Sequence, residues 1–238
     1  MSEPPDSVGA MNSWHMCPRA AFDLETTGRD PLTARIVTAS IILVDGRGEV
    51  QEHHEWLADP GVDIPPEATA VHGIASQTAQ AYGSPASRVV SQIAAVLLGF
   101  FRDRIPVLAF NARYDFTVLA REGVRHGVGT PNPFPVLDPY VMDKHADRFR
   151  PGKRTLTAMC AHYGVPLENA HTSSADVLAT LGVAAVLAER FPHLRKPASE
   201  LHEFQMTWAL RQAESFQQYL RRSNPDAVVE GQWPAIAS

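Results

Sequence analysis

The sequence predicts a mixed α/β domain, and three observations support this class. Two runs of strand character come early and are joined by a turn signal, short apolar runs then alternate with helical patterns, and helical periodicity dominates the last third. Strands that alternate with helices form a sheet with helices on both faces. With 238 residues, of which 45% are hydrophobic, the chain is long enough to bury one sizeable core.

The early elements predict a hairpin at the start of the sheet. The segment AAFDLE (20–25) is an apolar run typical of a buried strand, and RIVTASIILV (35–44) is rich in β-branched residues. DGRG (45–48) is a hairpin turn signal, so residues 49–58 are expected to form the returning strand. Residues 65–74 predict a loop with a short helical turn.

The later elements alternate between helices and short strands. Residues 86–103 carry apolar side chains at helical spacing, and the helix expected over 115–127 ends in a glycine. The remaining expected elements are strands at 106–110 and 134–138 and helices at 140–149, 155–165, 174–191 and 198–222.

This pattern predicts three parts along the chain. Residues 1–12 are polar and rich in Pro, Gly and Ser, which is typical of a disordered leader. Residues 13–195 contain the alternating strands and helices and are expected to form the main domain. Residues 196–238 are expected to form a helical extension that packs on this domain.

Charge and cysteine content narrow the class of protein. A formal net charge of −5 argues against a protein that coats nucleic acid by bulk electrostatics, but not against an enzyme that handles one strand end through bound cations. Two cysteines without a CxxC motif indicate a reducing, intracellular setting. No apolar run approaches the length of a membrane span. We therefore expect a cytoplasmic protein that does not enter a membrane.

Two acids at the end of the first strand are the first indication of chemistry. Asp23 and Glu25 are two residues apart, so on a strand they project to the same side. Two like charges this close repel unless one is protonated or a cation lies between them. Hard oxygen ligands at this spacing suit Mg²⁺ or Mn²⁺. On these two residues alone, a pair of solvated acids at a strand end is an equally good interpretation.

Three further residues shift the balance towards a metal site. Asp115 follows a short strand and begins a helix, Asp176 lies near the start of another helix, and His171 precedes Asp176 by five residues. Each acid falls at a junction where strand ends and helix starts converge. Four carboxylates and one histidine can hold two divalent ions, which is the set of groups needed for metal-assisted displacement at phosphorus.

Three motifs resemble those of a known enzyme family. FDLETTG (22–28), LAFNARYDFTVL (108–119) and HTSSADVLAT (171–180) are similar, in order, to the three motifs of the DEDDh 3′→5′ exonucleases. The resemblance covers roughly residues 14–190. It implies a ribonuclease-H-like fold, a mixed sheet flanked by helices, with an extra C-terminal helix in this chain. Residues 13–195 would then be the exonuclease domain.

The resemblance also implies roles for the five motif residues. Asp23, Glu25 and Asp176 would hold one divalent cation, and Asp23 would bridge to a second cation that Asp115 reaches. His171 would be the general base that takes a proton from the attacking water. The sister group places a tyrosine four residues before the last acid, where this chain has threonine, so the histidine type is indicated.

Further residues are expected to contact the terminal nucleotide. Thr26 and Thr27 would meet the nucleotide and its 3′-OH. His72 and Ile74 would line the base or sugar, and Asn111 and Tyr114 would shape the same pocket. Many relatives have histidine where this chain has Phe110, a difference that could alter nucleotide preference.

Two segments leave alternatives open. The basic run from Lys144 to Arg154 is either a patch that contacts substrate phosphates or a solvated face. The helix over 198–222 carries Trp208 and either packs on the domain or binds a protein partner, which includes self-association.

The sequence thus predicts an exonuclease that uses two divalent cations, Mg²⁺ or Mn²⁺, to release 5′-mononucleotides from single-stranded 3′ ends. DNA is the favoured substrate. The alternatives are an RNA-trimming enzyme of the same family and a non-catalytic, polymerase-associated adaptor. Proofreading, DNA repair and RNA trimming are equally compatible biological roles, because the motifs do not reveal contacts to a 2′-OH.

Overall fold

Six strands form one mixed sheet in the computed structural model, which describes residues 13–167 and 170–236. The strands are β1 (Arg19–Thr26), β2 (Ile36–Val44), β3 (Val50–Asp59), β4 (Ser84–Pro85), β5 (Val107–Leu108) and β6 (Val136–Leu137). Their order across the sheet is β4-β3-β2-β1-β5-β6. β2 is antiparallel to β1 and β3, whereas β5 is parallel to β1 and β6. The leader expected over 1–12 lies outside the described residues.

The hairpin between β2 and β3 forms at the expected turn. The Asp45 carboxylate accepts hydrogen bonds from the backbone N–H groups of Arg47 at 2.8 Å and Glu49 at 2.9 Å. Gly48 has a φ of +89°, a conformation that glycine adopts without steric cost. The turn therefore fixes the register that pairs β2 with β3. On its other side β2 pairs with β1, which places Asp23 opposite Ser40 and Glu25 opposite Thr38.

Eight α-helices surround the sheet in the described part of the chain. They are α1 (Pro66–His72), α2 (Ser76–Tyr82), α3 (Ala86–Arg102), α4 (Arg113–His126), α5 (Pro139–Ala146), α6 (Leu156–Tyr163), α7 (Ser173–Arg190) and α8 (Ala198–Leu220). The sequence did not predict α2 or β4. α2 buries only Ala79, so it carries no apolar periodicity, and β4 is two residues long.

The core divides into one apolar cluster on each face of the sheet, as the α/β prediction requires. Alternate residues of β1 enter opposite clusters, since Phe22 packs with α3 and α4 while Ala21 packs with α6 and α7. Asp23 and Glu25 share the face of Ala21. α7 packs directly on β1 and β2. The two acids of β1 are thereby turned towards the helix that carries Asp176.

The C-terminal helix α8 covers the β6 edge of the sheet. Val136 donates its backbone N–H to His202 Nδ1 at 3.0 Å, and Asp138 donates its N–H to Gln205 Oε1 at 2.8 Å. These contacts satisfy donors that an edge strand would otherwise expose. Trp233, beyond the helix, is buried in the cluster of Phe22.

None of the helices in residues 13–167 and 170–236 is both long and apolar enough to cross a bilayer.

Candidate active site

Four carboxylates converge where β1 ends and two helices begin. Asp23 and Glu25 lie in the second half of strand β1, Asp115 lies in the first turn of α4, and Asp176 lies in the first turn of α7. The N-terminus of a helix favours negative charge, which places an acid there at low cost. Asp115 is 3% exposed, and its Oδ1 accepts the backbone N–H of Leu24 at 3.1 Å. This bond ties α4 to β1 at the level of the acids.

The pKa values of all four carboxyls are raised. Burial raises the pKa of Asp23 well above its usual value, and the charges of Asp115, Asp176 and Glu25 add to the effect. Burial, followed by the charge of Asp176, raises the pKa of Glu25 to about 7. Burial also raises the pKa of Asp115 well above normal, and that of Asp176 to a smaller degree. The protein thus holds these acids where their negative charge is unfavourable.

Within the described residues, no lysine or arginine forms an ion pair with any of the four acids. Ligand atoms of Glu25, His171 and Asp176 all lie within 4.8 Å of one another, a grouping that could hold a metal ion. Carboxylate oxygens suit hard divalent cations. A cation would neutralise charge that burial makes unfavourable, so the grouping of Glu25, His171 and Asp176 fits a divalent ion of the kind that the family resemblance implies.

His171 lies in a backbone reversal immediately before α7. Its φ is +70°, the left-handed region that few residues other than glycine adopt, and its backbone N–H donates to Asp176 Oδ1 at 3.3 Å. Its side chain is exposed, yet a ring nitrogen lies close to the carboxylates of Glu25 and Asp176. The histidine is therefore accessible to solvent at the edge of the acidic cluster.

Two cavities meet beside the acids. One, of about 380 Å³, is lined by Thr26, His72 and Tyr114 together with Glu25. The other, of about 490 Å³, is lined by Glu25, His72 and Ile74 and reaches His171. Glu25 and His72 border both, so a terminal nucleotide has room on either side of them.

His72 presents an unpaired donor at this boundary. The side chain is 9% exposed, and its Nδ1 accepts the backbone N–H of Ile74 at 3.2 Å. Burial lowers the pKa of His72, against a smaller opposing effect of the Thr26 backbone, so the ring is neutral at pH 7. A neutral ring that accepts at Nδ1 carries its proton on Nε2. That buried Nε2 has no hydrogen-bond partner among the described residues.

Tyr114 shapes the smaller of these two cavities. Its hydroxyl contacts the Thr26 hydroxyl and the Gly28 carbonyl oxygen. Burial raises the pKa of Tyr114 to about 12, so the phenol is neutral. These contacts join the end of β1 to α4 and fix the position of the Thr26 side chain.

Two predicted substrate contacts are not brought into these cavities. Thr27 uses its hydroxyl to accept the backbone N–H of Arg35 at 3.0 Å, which stabilises the turn after β1. Asn111 has a φ of +61° and lines a separate cavity of about 180 Å³. Phe110, where many relatives have histidine, packs edge-on against Tyr140 with a ring separation of 5.9 Å.

One buried acid behind the site was missed by the sequence analysis. Asp138 is 1% exposed and accepts the backbone N–H groups of Asn111 at 3.0 Å and Ala112 at 2.9 Å. It also accepts from the backbone of Tyr140 and from the indole of Trp233. Burial raises the pKa of Asp138 to about 6, against the opposing effect of these donors. Asp138 therefore holds the turn that precedes α4 and Asp115. An acid before a proline that starts a helix was the available signal.

Comparison with known proteins identifies the family. A family model described as RNase_T, Exonuclease, matches residues 20–184. A "DNA polymerase III subunit epsilon-like protein" from Rhodobacter capsulatus is 33% identical over 163 residues, which is 67% of this chain and 22% of that protein.

Solved structures of exonuclease I share the fold. The E. coli enzyme in complex with a dT13 oligonucleotide matches 75% of this chain and 42% of its own, with a TM-score of 0.61 and 22% identity. The Methylocaldum szegediense enzyme matches 85% of this chain and 46% of its own, with a TM-score of 0.59 and 22% identity. The chain spans less than half the length of these relatives. Since the family model covers more than half of the chain, the chain belongs to the exonuclease family, which confirms the resemblance carried by its three motifs.

Proposed function

We propose that this chain is a divalent-cation-dependent 3′→5′ exonuclease that releases 5′-mononucleotides from single-stranded ends, with DNA as the favoured substrate. The observation that carries the proposal is the convergence of four carboxylates with raised pKa values and no basic partner in the described residues. Burial of unpaired acids costs stability, and that cost is typical of a functional site.

Asp23, Glu25, Asp115 and Asp176 would hold two divalent cations, Mg²⁺ or Mn²⁺. When bound, such cations stabilise negative charge on the phosphate oxygens and lower the pKa of water. The acids themselves orient the site, because Asp115 is fixed to β1 through the Leu24 N–H and Asp176 is fixed to the His171 backbone.

His171 accepts the proton of the attacking water in this proposal. Its accessible ring beside Glu25 and Asp176 suits a group that must exchange protons with solvent. His72 Nε2 donates to an oxygen of the terminal nucleotide, while Thr26 and Ile74 contact its sugar or base. Tyr114, whose hydroxyl contacts the Thr26 hydroxyl, positions Thr26 and limits the space at the end of β1.

The choice of DNA rests on the relatives. The structural neighbours include exonuclease I from E. coli with dT13 and with dA16, and one is an exonuclease I complex with SSB-Ct. We also propose that residues 13–195 form the catalytic part and that residues 196–238 form an extension on it.

The test is digestion of matched, labelled DNA and RNA oligonucleotides. We expect mononucleotides with 5′-phosphates from DNA with Mg²⁺ or Mn²⁺, no reaction in excess chelator, and a block by a 3′-phosphate. Asp176→Asn should lose about 10³-fold or more in rate, since several kcal/mol of charge stabilisation is removed. Asp63→Asn, at an exposed acid in the loop before α1, is the matched control.

Three results would contradict the proposal. They are full activity in chelator, native turnover of Asp176→Asn, and efficient cleavage of a circular single strand. If RNA is digested faster than DNA, the same mechanism holds but the enzyme trims RNA.

A further inference from the structure

A further cavity, of about 580 Å³, lies between α5 and the second half of α8, outside the candidate active site. The residues that line this cavity include Lys144, Arg148, Trp208, Arg211, Phe216 and Tyr219. We call this cavity the α5–α8 groove. Among the described residues, its lining combines basic and aromatic side chains and contains no acid.

The cations of the α5–α8 groove are available for a ligand. Within the described part of the chain, Lys144, Arg148 and Arg211 form no ion pair with an acid. Arg154, which also lines the groove, differs because its Nε donates to Asp143 at 2.6 Å. Three unneutralised cations at one place in a chain of net charge −5 favour an anionic ligand.

Near-parallel pairs of aromatic rings lie in and beside the groove. Phe216 and Tyr219 are exposed, whereas Trp208 is half-buried. Phe216 and Tyr219 stack at a centroid distance of 6.4 Å and are 49% and 61% exposed. Trp208 stacks on His145 at 3.7 Å, with 6° between the ring planes. Surfaces that bind single-stranded nucleic acid combine aromatic rings with cations, because bases stack on the rings while the cations contact phosphates.

The groove adjoins a cavity that reaches the start of α4. The 180 Å³ cavity beside it shares Lys144 and Phe216, and is also lined by Asn111 and Arg113. Arg113 begins α4, the helix that carries Asp115 in its first turn. Two adjoining cavities therefore run from the α5–α8 groove to the first residue of the helix that supplies one of the four acids.

We infer that the α5–α8 groove binds the single strand upstream of the 3′ end that enters the acidic site. The inference deepens the proposed function and rests on it for the direction of the strand. An acidic peptide could satisfy the cations, but the exposed stacked rings and the continuity with α4 favour a nucleic acid strand.

The test measures binding of a labelled single-stranded DNA of roughly 16 nucleotides, in chelator so that nothing is cleaved. Phe216→Ala should weaken binding by about 5-fold to about 100-fold, the range for loss of one base-stacking ring. Arg211→Gln should lower the slope of log K against log salt by about 0.7, the value for one lost phosphate contact on a single strand. The matched controls are Tyr82→Ala and Arg88→Gln, both exposed and outside the groove. These should bind as wild type does.

The outcomes separate this inference from the proposed function. Unchanged affinity and salt slope in both groove variants would overturn it, and so would binding of an acidic peptide that Phe216→Ala abolishes while the DNA is not bound. Because no cleavage is required, a chain that binds DNA through the groove but never hydrolyses it would refute only the proposed function. Both substituted side chains are exposed, so the fold is retained.

Discussion

Two groups of buried acids in this molecule have opposite electrostatic environments. At the end of β1, four carboxylates face one another without a lysine or arginine partner in the described residues, and their pKa values are raised. On α5, Asp143 is even less accessible to water, at 0% exposure, but two arginines and a tyrosine surround it. Burial of an acid therefore does not by itself indicate function.

The partners account for the difference. Arg150 donates to Asp143 through Nε at 3.1 Å and Nη2 at 3.0 Å, and the Tyr163 hydroxyl donates at 2.5 Å. Burial would raise the pKa of Asp143, but these hydrogen bonds and that of Arg154 outweigh it and lower the pKa. Asp143 is thus neutralised by the fold itself, whereas the four acids at β1 require something from outside the chain.

Substitution of His171 should give the largest change in rate among the tests of this comparison. In residues 13–167 and 170–236 it is the one histidine grouped with Glu25 and Asp176, and unlike Arg150 it is exposed. We expect His171→Ala to lose about 10²–10⁴-fold in single-turnover rate, the contribution of a positioned general base. Its thermal midpoint should stay near that of wild type, since no core packing is lost.

A pH series separates the base from a merely structural role. Loss of a general base changes how the rate depends on pH, so the profiles of wild type and His171→Ala should differ in shape. The control is His162→Ala, at an exposed histidine on α6. Equal rates and identical pH profiles for wild type and His171→Ala would show that the proton leaves by another route.

Asp143→Asn should give the next largest effect, a loss of free energy of unfolding. The substitution leaves Arg150, at 7% exposure, as a buried charge without its acid. Breaking a buried pair in this way costs about 3–5 kcal/mol. For a chain of this length that corresponds to a fall of roughly 6–20 °C in the thermal midpoint. Rate measurements well below that midpoint should show little change, and an unchanged midpoint would show that the comparison is wrong.

The acidic site could be predicted because its signals are local. Two acids at i and i+2 on a strand share a face, and acids in the first turn of a helix follow from helix-start patterns. Five of the six strands and seven of the eight helices in the described residues were predicted for the same reason. α2 was missed because its sequence, SQTAQAY, carries no apolar stripe.

The remaining features depend on contacts between distant parts of the chain. The donors to Asp138 include Trp233, which is 95 residues away, so no local pattern shows that it supports the turn before α4. The side chains of the basic run from Lys144 to Arg154 lie in two different environments. Arg150 turns inward to Asp143, while Arg148 lines the α5–α8 groove. Only the packed structure separates these two roles.

Glu25→Gln gives the smallest effect and tests whether the acids at β1 repel one another in the metal-free protein. The folded pKa of Glu25 is raised from 4.5 to about 7. Across that interval the folded state keeps a proton that the unfolded state has lost, so the free energy of unfolding falls as pH rises. By linkage the full shift corresponds to about 3 kcal/mol above neutrality, and partial exposure of the side chain reduces this to about 2 kcal/mol.

Glu25→Gln removes this loss, so in chelator the variant should gain stability over wild type as the pH rises above 4.5, and the gain should be complete above about pH 7. The gain should be about 4–8 °C in thermal midpoint near pH 8 and close to zero below the lower pKa. Glu55→Gln, at an exposed glutamate on β3, is the control and should show no such gain. Saturating Mg²⁺ should reverse the order, because a cation that binds only the folded state stabilises wild type more than a variant lacking one ligand. Parallel stability curves for wild type and Glu25→Gln at every pH would show that the charge of Glu25 is already compensated within the fold, as that of Asp143 is.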